Sequence, residues 1–238
     1  MNKDQERLLA VVIDKFAQEF GKQAILRGGM VLKAIGSLRH TNDVDYLFVP
    51  FKSKKDIVSQ ILNCLQKMSG VSIKHSLNSK CLRIHLTKEN TTIQIEAKVA
   101  RESKVDIIST KLISTKFDLP IRAIYIVDHS VSLANKLAAW NERRLARDLY
   151  DILFFIQMDI QADKIILEKR LNKPEYSKLI KSKDYFEGKE VEEFYEFLRN
   201  EVNKISEKKI IDELLDYLPP KELIGIKGFL VAALIKLK

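Results

Sequence analysis

The spacing of hydrophobic and polar residues divides the chain near residue 129. Before that point, apolar residues at helical spacing from Leu8 to Phe16 predict an opening amphipathic helix, and short apolar runs are typical of strands. We predict strands at 23–26, 43–49, 71–76, 81–87, 91–99 and 123–127, and further helices at 30–35 and 53–69. After residue 130 every period is helical, with segments near 131–143, 147–158, 161–171, 189–206, 208–217 and 221–237.

The order of these elements predicts an α+β fold. Polar loops separate the three strand candidates between residues 71 and 99, so we expect those strands to form an antiparallel meander. The simplest architecture is a sheet with flanking helices over residues 1–128, followed by a helical domain over residues 129–238.

Composition excludes several classes of protein. The 238 residues are 46% hydrophobic and 31% charged, which allows a buried core. No apolar run approaches the roughly 18–20 residues that a membrane span needs. Cys64 and Cys81 match no metal-binding or redox spacing and are typical of free thiols in a reducing compartment. We therefore expect a cytoplasmic globular protein with no membrane partner.

Positive charge is concentrated in the first part of the chain. The formal net charge is +9. Residues 1–128 contain 21 Lys and Arg against 13 Asp and Glu, whereas residues 129–238 contain 20 against 19. Such an excess favours an anionic partner, for example nucleic acid. A generally basic background composition explains it equally well, so the charge alone does not decide whether the partner is anionic.

Three carboxylates are candidates for metal binding. Asp43 and Asp45 lie two residues apart on a predicted strand, so they point to one face while Val44 points to the other. Two adjacent carboxylates repel unless a cation lies between them, as Mg²⁺ does in phosphoryl transfer. Glu96 lies on the polar face of a later strand and is the third candidate. A solvated strand face or a turn is the alternative explanation for the two aspartates, and a plain amphipathic edge strand is the alternative for Glu96.

Two segments carry a family resemblance. Gly28 and Gly29 lie between a predicted strand and a short helix, where backbone amides can meet a phosphate. Residues 26–46, with Gly-Gly, a helix and Asp-X-Asp, resemble the AbiEii/AbiGii-type toxin nucleotidyltransferases, which belong to the DNA polymerase β-like superfamily. Residues 135–152 resemble the second signature of the same family, Lys-Leu-X-Ala followed by Arg-Asp-X-X-Asp-Leu.

This resemblance implies a nucleotidyltransferase-like mixed sheet and a role for each residue of the first segment. It implies that Asp43, Asp45 and Glu96 are catalytic and hold two Mg²⁺ ions. It also implies that Gly28 and Gly29 bind the β and γ phosphates of a nucleoside triphosphate.

The resemblance implies further roles before and after the carboxylates. Arg39 and Thr41 precede the aspartates and would touch either the triphosphate or the acceptor. Lys136 would contact a phosphate, and Asp148 or Asp151 would orient the lysine or contact the nucleotide. The alternatives are an ordinary surface lysine, and carboxylates that are solvated or paired with neighbouring arginines.

The implied activity is metal-dependent transfer of a nucleoside monophosphate to an acceptor hydroxyl, with release of pyrophosphate. The family resemblance implies a toxin that is held in check by a cognate antitoxin. Because the basic part carries the predicted site, RNA is the expected acceptor, with the 3′ end of tRNA foremost. A protein or a small molecule such as an aminoglycoside is the alternative acceptor. A non-catalytic nucleic-acid-binding module, or a protein with only a structural role, is the alternative to an enzyme.

Overall fold

The computed structural model describes residues 3–175, 185–188 and 190–238. The chain forms two compact units, Met1–Val127 and Asp128–Lys238. The predicted start of a helix at residue 189 lies outside the described residues. No helix within these ranges has the length and apolar character needed to cross a membrane.

The first unit contains a seven-stranded mixed sheet and four helices among its described residues. Its elements in chain order are α1 (Lys3–Phe20), β1 (Ala24–Arg27), α2 (Gly29–Ala34), β2 (Asp43–Phe48), α3 (Lys55–Gln66), β3 (Val71–Leu77), β4 (Leu82–Lys88), β5 (Thr91–Val99), β6 (Val105–Ser109), α4 (Lys111–Ser114) and β7 (Ala123–Val127). All six predicted strands and all three predicted helices of this unit are present, with bounds shifted by a few residues.

The strand order in the sheet is β3-β4-β5-β2-β1-β7-β6. β3, β4 and β5 pair antiparallel, which confirms the predicted meander. β2 runs parallel to β5 and antiparallel to β1, and β1 runs parallel to β7. The sheet is therefore mixed, and β2 lies at its centre.

One strand was not predicted. β6 pairs antiparallel with β7 at the edge of the sheet. Its side chains are exposed or half-buried, and Ile107 is 62% exposed. A strand without a buried face lacks the alternation that reveals strands in a sequence, which is why the pattern gave no signal.

The hydrophobic core covers one face of the sheet and orients β2. Val44, Tyr46 and Phe48 are buried in it, and the ring of Phe16 from α1 lies 4.9 Å from the ring of Tyr46. Burying each such ring stabilises the fold by roughly 1.5–3 kcal/mol. A one-residue slip of β2 would turn these side chains outward and the two aspartates inward, so the core fixes which residues face outward.

The second unit is entirely helical among its described residues. It contains α5 (His129–Arg143), α6 (Ala146–Gln157), α7 (Lys164–Asn172), α8 (Val191–Lys204), α9 (Glu207–Leu214) and α10 (Ile226–Leu234). The predicted helical segments are confirmed where the structure describes them, although α10 begins later than expected. Pro220–Leu223 forms a 3-10 turn and Gly225 has a left-handed backbone, and both delay the last helix.

Candidate active site

The two aspartates of β2 lie side by side on the face of the sheet that the core leaves uncovered. Asp43 and Asp45 are half-buried, while the residues between and after them are buried. The Thr41 hydroxyl donates a hydrogen bond to Asp43 Oδ1 at 2.5 Å. The strand pairing therefore supplies two outward carboxylates, and the preceding loop holds the first of them in place.

The turn between β1 and α2 closes directly on Asp45. Gly28 has φ +73° and ψ −151°, a conformation that residues with a side chain rarely adopt. A Cβ atom at Gly28 would lie 2.2 Å from Asp45 Oδ2. Glycine is thus required here both for the backbone conformation and for the close approach to the carboxylate.

The second glycine of the turn lies over two side chains that the resemblance had singled out. A Cβ atom at Gly29 would lie 2.5 Å from Arg39 Nη2 and 3.0 Å from Thr41 Oγ1. Arg39 is only 5% exposed, and its Nη1 donates to the backbone oxygen of His40 at 3.2 Å. Arg39 and Thr41 therefore connect the glycine turn to the start of β2 from beneath.

A row of four charged residues crosses the sheet through the candidate site. Arg83 on β4, Glu96 on β5, Asp45 on β2 and Arg27 on β1 are successive partners in the strand register. Directly paired residues share a face, and neighbouring strands are about 4.8 Å apart. Two carboxylates are thus flanked by two arginines.

Glu96 is bound by its neighbours in this row. Arg83 donates to Glu96 Oε1 from Nε at 2.9 Å and from Nη2 at 2.7 Å, and Gln94 Nε2 donates at 3.1 Å. These bonds raise the pKa of Arg83. Burial raises the pKa of the nearby Cys81 thiol, and the charge of Glu96 raises it further. Glu96 is therefore paired with Arg83.

The residue types at the carboxylate pair suit a divalent metal. Mg²⁺ takes oxygen ligands and usually keeps one or two carboxylates plus substrate phosphates and water. Asp43 and Asp45 fit that requirement, whereas Glu96 Oε1 is already bound by Arg83. In the described ranges, no three His, Cys, Asp or Glu side chains are grouped so that they could hold a metal.

The second predicted cluster lies in the helical unit, where α5 and α6 bring a lysine and two aspartates together. Lys136 Nζ lies 2.5 Å from Asp151 Oδ2 and 3.9 Å from Asp148 Oδ1. Arg143 binds Asp148 through two nitrogens, with Nη2 at 2.6 Å from Oδ1 and Nε at 3.1 Å from Oδ2. Each carboxylate thus has its own close cation.

Burial decides between the alternatives for these residues. Asp148 and Asp151 are both 0% exposed, so the solvated helix face is wrong. The pairing of a carboxylate with a neighbouring arginine is confirmed for Asp148. The Lys136 side chain is 17% exposed, so it is not an ordinary surface lysine. Buried ion pairs are costly unless they are well matched, which makes this cluster unusual for a mere helix contact.

Two arginines of these clusters were not proposed as site residues from the sequence. Arg83 had a detectable signal, because the two-residue turn at 89–90 sets a hairpin register that places Arg83 opposite Glu96. Arg143 was considered only as one of several partners for the aspartates. Its pairing with Asp148 depends on how α5 and α6 meet, for which a single sequence gives no signal.

Comparison with solved structures identifies the fold. JHP933 from Helicobacter pylori is 14% identical with a TM-score of 0.57, and the match covers 99% of this chain and 92% of that one. MenT4, the nucleotidyltransferase toxin Rv2826c from Mycobacterium tuberculosis H37Rv, is 13% identical with a TM-score of 0.61, covering 98% and 82%. No curated protein sequence matches significantly. At these identities the likeness shows a shared fold.

The family is shown by the sequence itself. The family model described as nucleotidyl transferase AbiEii toxin, type IV toxin–antitoxin system, matches residues 12–226. This range includes the glycine turn, the carboxylates of the sheet and the lysine cluster of the helical unit. The chain therefore belongs to the AbiEii family of nucleotidyltransferase toxins of type IV toxin–antitoxin systems.

Proposed function

We propose that this toxin transfers a nucleoside monophosphate from a nucleoside triphosphate to a hydroxyl of RNA, with the 3′ end of tRNA as the acceptor. The observation that carries the proposal is the close approach of the Gly28 turn to Asp45. A Cβ atom at Gly28 would lie only 2.2 Å from Asp45 Oδ2. A turn without side chains beside two carboxylates suits a polyphosphate that binds through metal ions.

The triphosphate binds along the glycine turn. Neither Gly28 nor Gly29 has a side chain, so phosphate oxygens can reach the backbone amides. Buried Arg39 acts from beneath the turn and adds positive charge close to it. Thr41 keeps Asp43 in one orientation through its hydrogen bond.

Asp43 and Asp45 would hold Mg²⁺, with Glu96 as a further ligand once it has left Arg83. Two ions there would activate the acceptor hydroxyl and neutralise the charge of the leaving pyrophosphate. Residues 1–128, the domain predicted from the sequence, thereby form the catalytic domain of our proposal.

The chemistry is an in-line displacement at the α-phosphorus. The acceptor oxygen forms a new bond to that phosphorus, and the bond to the bridging oxygen of the β-phosphate breaks. Pyrophosphate leaves with the electron pair of the broken bond. The hydroxyl proton passes to the carboxylate of Glu96.

Lys136 is the phosphate-binding lysine of the second signature in this proposal. Asp151 orients it through the 2.5 Å contact. Asp148 acts less directly, because its closest cation is Arg143 and its oxygen lies 3.9 Å from the lysine. We thus assign the principal positioning role to Asp151, and to Asp148 the support of the same cluster.

RNA is the proposed acceptor because the positive charge is concentrated in the catalytic half of the chain. A polyanion gains from such an excess through release of bound counterions. The cytoplasm supplies both RNA and nucleoside triphosphates, and the family implies a cognate antitoxin.

The acceptor can be identified in one experiment. The protein is incubated with each α-³²P-labelled triphosphate, Mg²⁺, total RNA and total cellular protein, beside the double variant Asp43→Asn/Asp45→Asn. We expect label on RNA of tRNA size in the wild type only. Label on protein bands or on small molecules would overturn the RNA acceptor while keeping the transferase.

Gly28→Ala tests the contact between turn and carboxylate. We expect transfer to fall about 100-fold or more, because the added Cβ must displace Asp45, and small misplacements of reacting groups have effects of that size. The matched control is Gly70→Ala, which shares the positive φ (+71°) but has no atom within 4 Å of the new Cβ. Equal activity of the two variants would show that the contact with Asp45 is unimportant.

A further inference from the structure

The two arginines of the charged row across β4, β5, β2 and β1 differ in their side-chain partners. Arg83 is committed to Glu96 through two hydrogen bonds. Arg27, at the other end, is paired in register with Asp45. Yet within the part of the chain that the structure describes, no side-chain hydrogen bond or ion pair of Arg27 is found.

An uncommitted arginine is unexpected at this position. Arg27 is half-buried in the sheet, and a partly desolvated guanidinium ordinarily finds an acceptor. Its register partner Asp45 is a carboxylate whose Oδ2 lies close to Gly28, and among the described residues no hydrogen bond or ion pair joins it to Arg27. The guanidinium therefore keeps its donors available on the face that carries the carboxylates.

The place of Arg27 in the chain indicates what it meets. It is the last residue of β1 and is followed at once by the Gly28 turn. The turn and Arg27 thus lie on the same side of Asp45, and Glu96 with Arg83 lies on the other. In the proposed function the triphosphate binds along the glycine turn, so it lies on the same side of Asp45 as Arg27.

We propose that Arg27 is a substrate-binding residue that holds the anionic tail of the nucleoside triphosphate. The proposal rests on the function proposed above and adds a contact that neither the motif nor the metal provides. A guanidinium presents a planar fork of donors that matches two phosphate oxygens at once, which a lysine cannot reproduce. Arg83 does not share this role, because Glu96 already occupies its fork.

The test measures binding directly, without the metal. The affinity of Arg27→Met and Arg27→Lys for a nucleoside triphosphate, and for the uncharged nucleoside, is measured by calorimetry in EDTA. We expect Arg27→Met to lower the affinity for the triphosphate about 10–100-fold and the affinity for the nucleoside little, since only the triphosphate has phosphate oxygens that Arg27 can bind. Arg27→Lys, which keeps the charge but not the fork, is expected to lose less.

The matched control is Arg101→Met, which removes the same charge from an exposed position just after β5. Its affinity for both ligands is expected to equal that of the wild type. Circular dichroism confirms that each variant is folded, and Arg27 makes no side-chain bond among the described residues whose loss would unfold the sheet.

Other outcomes overturn the proposal in distinguishable ways. Unchanged triphosphate affinity in Arg27→Met would refute the contact, and so would an equal loss of affinity for triphosphate and nucleoside. If the wild type still transfers label, the proposed function stands in both cases. A raised KM for RNA with unchanged triphosphate affinity would assign Arg27 to the acceptor instead. A wild-type protein that neither binds triphosphate nor transfers label would refute the proposed function itself.

Discussion

Asp45→Asn is expected to lower nucleotidyl transfer by about 1,000-fold or more while the protein remains folded. The substitution keeps the size of the side chain beside Gly28 and removes only the negative charge that would hold the metal. Stabilising the charge that develops in the transition state is the largest catalytic contribution in such reactions, and losing one such group typically costs several kcal/mol. Initial rates of label transfer at saturating triphosphate measure the effect.

The matched control for this variant is Asp106→Asn. Asp106 lies on β6, three strands from β2 in the same sheet, so the change in charge is the same but the site is distant. We expect its transfer rate to stay within about twofold of the wild type. A rate for Asp45→Asn within a few-fold of this control would contradict the assignment of the carboxylate.

Lys136→Met is expected to destabilise the helical unit by about 3 kcal/mol. The substitution leaves the buried Asp151 carboxylate without its 2.5 Å partner, and breaking a buried ion pair from one side typically costs 3–5 kcal/mol. Urea unfolding followed by the fluorescence of Trp140 measures it. Trp140 is the single tryptophan of the chain, is 1% exposed and lies one helical turn from Lys136.

Two further variants separate burial from charge. Lys164→Met removes an ion pair of the same length, Lys164 to Glu192 at 2.5 Å, whose side chains are 49% and 63% exposed. Exposed pairs contribute about 0–1 kcal/mol, so this control is expected to unfold close to the wild type. The double variant Lys136→Met/Asp151→Leu should regain much of the loss, because both charges of the buried pair are then removed together. Equal stability of Lys136→Met and Lys164→Met would refute the buried pair.

The sheet and its central site were largely predictable from local pattern. The alternation through β2 placed Val44 in the core and the aspartates outside it, because a period of two leaves only one choice once one face is apolar. The glycine turn was predictable as well, since a strand, two glycines and a helix occur in that order. The close approach of this turn to Asp45 was not predictable, because it depends on which strand β1 pairs with.

The features that escaped prediction depend on tertiary pairing. Glu96 was identified as a carboxylate on a polar strand face, but its binding by Arg83 requires a second strand. Asp148 and Asp151 were assigned an exposed face as one alternative, because burying a charge is unfavourable unless a partner arrives from elsewhere in the chain. The partners Arg143 and Lys136 come from another helix. Edge strand β6 escaped because it has no buried face.

In nucleotidyl transfer, the α-phosphoryl group moves with its nucleoside to the acceptor, and pyrophosphate leaves. The most direct measurement uses two samples of the same triphosphate, labelled with ³²P at the α or at the γ position, with the acceptor pool and Mg²⁺. We expect label on the acceptor from the α-labelled sample only, and labelled pyrophosphate from the γ-labelled sample. Label on the acceptor from the γ-labelled sample would instead show phosphoryl transfer and would contradict nucleotidyl transfer.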